Sequence, residues 1–329
     1  MNTITGENII QVKNLEHWYG DFKAVDDISF TVREGEIFSF LGPNGAGKST
    51  VINLLITLLK VQKGSATIAG YDIAREPERV RESIGIVFQE LTLDRDMTVF
   101  EILEFHGRLY GMTVRERKSR IDELLALVKL ESKRNILIKH LSGGMKRRLE
   151  IARGLMTRPK VLFLDEPTIG LDPQTRMRMW DYIRDVNKEG TTIFLTTHYM
   201  DEADNLSDRI SIIDDGHIIA SGRPWELKNA LGQDIIYLET TDNPFVKSQL
   251  KDYGPVSSIA EKGKGIILTI NEDGTRILPL IIDRLRAGGV GVSTVNLKKP
   301  SMDDVFVHYT GKEIREESSE KIAPSFGRR

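Results

Sequence analysis

A two-domain α/β chain is predicted by three observations: an apolar strand that runs into a glycine-rich loop and then a helix, the later return of apolar strands separated by a helix, and a last third in which strands and helices follow a different order. The 329 residues accommodate one large and one small domain. With 40% hydrophobic and 29% charged residues the composition is that of a chain able to bury a sizeable core. The formal net charge of -2 supplies no field that would gather a polyphosphate, so no nucleic-acid partner is expected. The absence of Cys excludes a disulfide scaffold and Cys-ligated metal, which suits a reducing compartment.

The residues from Met1 to Glu7 lack the basic and apolar regions of a secretory signal. The longest apolar segment, 51–59, is too short for a bilayer span and follows the glycine loop, so it is expected to be a buried helix. Cytoplasm is the expected location.

Strands are expected at 9–12 and 24–32, the second ending at the turn Arg33-Glu34-Gly35-Glu36. Ile37-Phe38-Ser39-Phe40-Leu41 is a nearly continuous apolar run, as a central strand covered on both faces requires. After Gln89 the pattern turns helical. Thr98 and Glu101 form a capping box before Ile102, Leu103, Phe105 and Leu109; Thr113 and Glu116 precede a stripe of Ile121, Leu124, Leu125 and Val128. Residues 91–140 are therefore expected to form a helical insertion. Strands return at 161–164, 192–196 and 209–213, with a helix at 176–188 between the first two.

The boundary is placed so that residues 1–232 form the large domain and 233–311 a small α+β domain. Within the latter, strand 234–239, helix 244–253, strands 256–260 and 265–270, helix 275–287 and strand 292–298 have the ferredoxin-like order. A short helix at 301–309 is expected to pack against it. The charged tail 312–329 is expected to be solvated and poorly ordered.

The glycine loop is Gly42-Pro43-Asn44-Gly45-Ala46-Gly47-Lys48-Ser49, with a helix starting near Thr50. In this context glycines let backbone N–H groups surround phosphate oxygens, the helix N-terminus adds partial positive charge, Lys48 reaches the β- and γ-phosphates and Ser49 offers a hydroxyl to Mg²⁺. Strand 161–164 ends in Asp165 and Glu166, at the carboxyl edge where parallel sheets bind ligands. Asp165 is expected to hold the Mg²⁺ shell, and Glu166 to position or deprotonate an attacking water. Ser142, Gly143 and Gly144 precede an amphipathic helix bearing Leu149, Ala152, Leu155 and Met156 on one face. They suit either phosphate-reading amides or a plain N-cap with a glycine pair. The adjacent Lys146-Arg147-Arg148 reads as a solvated face. Tyr19 could stack on adenine, Gln89 could ligate Mg²⁺ and His198 could contact the γ-phosphate.

Taken in order, these elements resemble the nucleotide-binding subunits of ABC transporters over about residues 8–225. Leu141-Ser142-Gly143-Gly144 is similar to the family's signature, Gln89 to the Q-loop glutamine, Ile169-Gly170-Leu171-Asp172 to the D-loop, His198 to the switch histidine and Tyr19 to the aromatic A-loop residue. The resemblance implies a P-loop NTPase fold with a helical subdomain, ATP and Mg²⁺ as ligands, adenine on Tyr19, Glu166 as catalytic base, and Gln89 and His198 as sensors of the γ-phosphate and its metal. It also implies a head-to-tail dimer in which Ser142, Gly143 and Gly144 complete the site of a second copy or similar subunit.

Met145 departs from the usual signature Gln, while residues 141–149, 168–176 and 299–306 resemble the daunorubicin-resistance type of exporter ATPase. That likeness implies a separate membrane permease, a peripheral place on the inner face of the membrane, and export of a drug, lipid or polysaccharide. An importer ATPase is the nearer alternative. A soluble ABC protein acting on nucleic acid usually has two such domains or a long coiled coil, and neither is evident here.

Overall fold

The computed structural model describes residues 5–231 and 234–311. The tail 312–329 lies outside the described residues, as do 1–4 and 232–233. The chain opens with β1 (Thr5–Tyr19), β2 (Phe22–Glu34) and β3 (Ile37–Leu41), then α1 (Lys48–Leu55). Next come β4 (Lys63–Ile68), β5 (Tyr71–Asp72), α2 (Pro77–Ser83) and β6 (Ile84–Val87). Helices α3 (Val99–Leu109), α4 (Val114–Leu127) and α5 (Gly143–Gly154) follow. The sheet resumes with β7 (Val161–Asp165), α6 (Pro173–Lys188), β8 (Thr192–Thr197), α7 (Met200–Leu206), β9 (Arg209–Asp214), β10 (His217–Gly222) and α8 (Pro224–Ala230).

A six-stranded sheet has the order β10-β9-β3-β8-β7-β6, with β9, β3, β8, β7 and β6 parallel and β10 antiparallel at one edge. A four-stranded antiparallel sheet, β2-β1-β4-β5, packs against it. The central strands are buried on both faces, and their alternating side chains serve two cores. Phe38, Phe40, Phe163 and Phe194 join Phe30 of β2 and the apolar face of α1. Ile37, Leu162, Leu164, Ile193 and Leu195 face the opposite core, with residues of α3, α4, α5 and α6. Ring centroids among the phenylalanines lie as close as 5.0 Å for Phe30 and Phe40.

The helical insertion folds as its caps predict. Thr98 Oγ1 accepts the Glu101 N–H at 3.2 Å while Glu101 Oε2 accepts the Thr98 N–H at 2.7 Å. Thr113 and Glu116 repeat the exchange at 3.3 and 2.8 Å. Ile121, Leu124, Leu125 and Val128 are buried as expected, whereas Phe105 and Leu109 stay exposed. The apolar face of α5 also enters this core, so the helical layer extends past the expected limit of 140.

In the last part β11 (Asp234–Thr240), α9 (Asn243–Leu250), β12 (Val256–Lys262), β13 (Gly265–Ile270), α10 (Gly274–Ala287) and β14 (Val292–Lys298) form an antiparallel sheet of order β12-β13-β11-β14 under two helices. This is the ferredoxin-like arrangement. The expectation for the final helix, α11 (Met302–Thr310), is corrected: it does not join that sheet's core. Met302, Val305 and Phe306 instead bury against Leu41, Met200, Ala203, Ile210, Ile212 and Leu227 of the first part of the chain. The cause is that the α9/α10 layer already closes its own sheet, while β9, α7 and α8 leave an apolar recess for one more helix.

Candidate functional site

Strand register brings the chemistry to one edge. Leu41 pairs with Thr197 and Asp165 with Thr196, so the carboxyl ends of β3, β7 and β8 finish level. The Gly42 N–H donates to the Thr197 carbonyl at 3.2 Å, anchoring the start of the glycine loop beside the segment that carries His198. Gly47 has φ +102°, and a Cβ there would lie 2.5 Å from the Ala24 carbonyl oxygen. The turn into α1 therefore requires glycine.

Lys48 folds back over the loop. Its Nζ donates to the carbonyls of Gly42 at 2.8 Å and Pro43 at 3.0 Å and stands 3.2 Å from Glu166 Oε1. Burial lowers the Lys48 pKa, against the opposing pull of Glu166 and Asp165. Burial by itself raises the Glu166 carboxyl, but His198 and Lys48 outweigh it and hold that carboxyl below its ordinary value. Glu166 is thus a buried carboxylate, the form a base needs. Its backbone is left-handed, φ +46°, and its N–H donates to both the carbonyl and the hydroxyl of Thr196 at 3.2 and 3.1 Å. A strained residue pinned this way is typical of a functional turn.

His198 Nδ1 lies 3.2 Å from Glu166 Oε2, within range for charge but off the line of a hydrogen bond, so both atoms remain unbonded. Below Glu166, Asp165 Oδ1 accepts from the Ser49 hydroxyl at 3.3 Å and from the Thr196 hydroxyl. A cleft of about 390 Å³ is lined by Tyr19, Phe22, Ala24, Asn44, Gly45, Gly47, Lys48, Ser49, Thr50, Gln89 and Glu166. Half-exposed Tyr19 sits at its rim, suited to stacking on a flat ring.

The donor set fits a triphosphate with a hard cation. Loop amides, a lysine and the α1 N-terminus match phosphate oxygens, and a hydroxyl with a carboxylate matches Mg²⁺. Among the described residues no group of three or more His, Cys, Asp or Glu forms a metal cage. Mg²⁺ needs none, since it is commonly held through one or two carboxylates, water and substrate phosphates.

Ser142, Gly143 and Gly144 do not line this cleft. The Ser142 side chain caps α5, accepting the Met145 N–H at 3.3 Å. Gly144 packs so tightly that a Cβ would come 2.6 Å from Thr175 Cγ2, whereas Gly143 faces open space.

The reading of Lys146-Arg147-Arg148 as a solvated face is corrected for two of its members. Arg148 stacks on Tyr182 and donates to its hydroxyl at 2.8 Å. Arg147 is buried: Nε donates to Pro167 O at 2.8 Å, Nη2 to Asp165 O at 3.0 Å and Glu166 O at 3.2 Å, and Nη1 to Phe88 O and to Glu150 Oε2. The available signal was the three-residue spacing of Arg147 and Glu150, which puts them on one helix face. Glu202 was also missed. It accepts from Thr168 at 2.8 Å and Trp180 at 3.0 Å, and burial pushes its carboxyl up.

The model of the family described as ABC transporter matches residues 25–169, and that of the DrrA1-3-like ATP-binding protein C-terminal domain matches 222–310. The daunorubicin resistance ATP-binding protein DrrA3 of Streptomyces coeruleorubidus is 37% identical, covering 94% of this chain and 98% of that protein. The linearmycin resistance ATP-binding protein LnrL of Bacillus subtilis is 34% identical over 94% of this chain and all of that one, 100%. The ADP conformation of MJ1267, an ATP-binding cassette of an ABC transporter, superposes with TM-score 0.62 and 30% identity over 68% of this chain and 95% of its own. A dimeric post-hydrolysis state of the cassette MJ0796, bound to ADP and Pi, gives TM-score 0.58 and 29% identity over 65% and 98%.

Proposed function

The chain belongs to the ABC transporter family as an ATP-binding, ATP-hydrolysing subunit of the drug-resistance exporter type, and from that premise we propose that it closes head to tail on Mg-ATP with a second copy or a similar subunit. Closure and reopening drive a separate membrane permease from the cytoplasmic face. The observation that carries this reading is the buried contact of Glu166 with both Lys48 and His198 beside Asp165 and Ser49.

The roles follow from that geometry. Loop amides from Gly42 to Thr50 bind the phosphates, Tyr19 receives the base, and Lys48 exchanges its loop carbonyls and Glu166 for phosphate oxygens. Mg²⁺, where bound, neutralises charge on the phosphate oxygens; Ser49, Asp165 and Gln89 are the residues that would hold it. Once Lys48 turns to phosphate, Glu166 is free to orient water and take its proton, with His198 beside it. Ser142, Gly143 and Gly144 lie outside their own chain's cleft, which supports their serving a partner's nucleotide.

Permease docking is assigned to a groove of about 240 Å³ lined by Leu58, Ile86, Phe88, His106, Tyr110 and Arg153. It lies between the parallel sheet and α3, whose Phe105 and Leu109 remain exposed nearby on the same helix. Among the described residues no helix is long and apolar enough to cross a membrane. The relatives' names speak of resistance to daunorubicin and linearmycin, which supports a drug-like cargo.

The test uses two variants. Glu166→Gln should accumulate an ATP-bound dimer with hydrolysis reduced at least about a hundredfold; turnover at the parent rate would remove Glu166 from the mechanism. Lys48→Ala should abolish tight nucleotide binding, and unchanged affinity would refute the loop's role.

A further inference from the structure

Arg147 makes more bonds than a stabilising ion pair requires. One contact with Glu150 would neutralise its charge, yet the guanidinium also reaches four carbonyls, and each belongs to a segment carrying chemistry: Phe88 immediately before Gln89, and Asp165, Glu166 and Pro167 at the end of β7. Glu150 completes the frame from the other side. Its Oε1 accepts the Thr92 N–H at 2.8 Å, so the turn containing Gln89 is held by Arg147 at one end and Glu150 at the other. Both side chains are buried on α5, whose first residues are Gly143 and Gly144.

We infer that Arg147 is a positioning residue that makes the N-terminus of α5, the Gln89 turn and the Asp165–Glu166–Pro167 turn move as one body, so that engagement of Ser142–Gly144 aligns Glu166 for water attack. A planar fork with fixed donors transmits displacement because moving one carbonyl without the others breaks charge-assisted bonds in a buried setting. The alignment of Glu166 stands on this chain alone. Its link to the signature segment rests on the head-to-tail pairing proposed above.

Removing one member of a buried pair leaves an unpaired charge and can unfold the site for trivial reasons. Two variants avoid this. Arg147→Lys keeps the charge beside Glu150 but cannot span the carbonyls, and Arg147→Gln with Glu150→Gln removes both charges together. Each is compared with the parent full-length chain in Mg-ATP hydrolysis, and in the Glu166→Gln background by ATP-dependent dimerisation followed by size.

Both variants should melt within a few degrees of the parent. They should lose about tenfold or more in kcat with KM changed less than about threefold, the signature of an interaction made only on the way to reaction. In the Glu166→Gln background the ATP midpoint for dimerisation should shift by less than about threefold. The dimer closes but does not fire.

Parental kcat in Arg147→Lys overturns the inference, because a mere ion pair is rescued by lysine. Loss of dimerisation in step with loss of kcat also overturns it, since Arg147 would then only shape the signature. If the Glu166→Gln chain itself stays monomeric with ATP, the pairing fails, and the kcat of Arg147→Lys still decides whether Arg147 aligns Glu166.

Discussion

Lys48, Glu166 and His198 illustrate how three ordinary side chains become a site through burial. Each would be unremarkable on a surface; packed within 3.2 Å contacts, Glu166 is held ionised by its two neighbours against the cost of desolvation. Gly47 is the backbone counterpart. Gly47→Ala would force a Cβ into the Ala24 carbonyl at φ +102° and should cost about 1–3 kcal/mol of stability with loss of ATP affinity, measurable by thermal unfolding and nucleotide titration. His106 supplies a pH test. Burial and then Arg153 lower its pKa to about 4 in the folded chain, so the unfolded chain binds its proton first as pH falls. Stability from this group is therefore present above about pH 6.5 and declines towards pH 4, the range between the ordinary and the folded pKa. His106→Gln should flatten that decline in pH-dependent unfolding, and an unchanged slope would show that His106 is not held neutral.

At the scale of elements, the helical insertion owes its limits to local chemistry. The two reciprocal Thr–Glu caps start α3 and α4 where the sequence places them, and Thr98→Ala or Thr113→Ala should each cost about 1 kcal/mol by denaturant unfolding. Strand alternation was equally legible, since Phe38 and Phe40 point to one core and Ile37 to the other as a period of two demands. The charged run at the start of α5 was not. Lys146-Arg147-Arg148 looks uniform in sequence, and only the approach of Phe88, Asp165 and Glu166 from distant segments makes Arg147 a buried hub while Arg148 stacks on Tyr182. Phe105 and Leu109 are the converse case, apolar yet left exposed among the described residues.

For the whole molecule, α11, the last described helix, fastens to β3, α7, β9 and α8. Phe306, nearly fully buried, sits in one cluster with Leu41 at the end of β3 and with Met200 and Ala203 of the helix after His198. Phe306→Ala should cost about 3–5 kcal/mol locally and raise amide exchange throughout 302–310, with β7 and β8 protected as before. Equal exchange in parent and variant would show that α11 is not held by this contact. The sequence by itself determined the central strands of the parallel sheet, the caps, the ferredoxin-like order and the glycine loop between strand and helix, because each rests on neighbours within a few positions: periodicity, glycine conformations and capping act locally. Tertiary structure alone decided where α11 docks and which arginine is buried. Those outcomes depend on which surfaces remain uncovered once the sheets and helices have packed, and residues far apart along the chain share that information only in space.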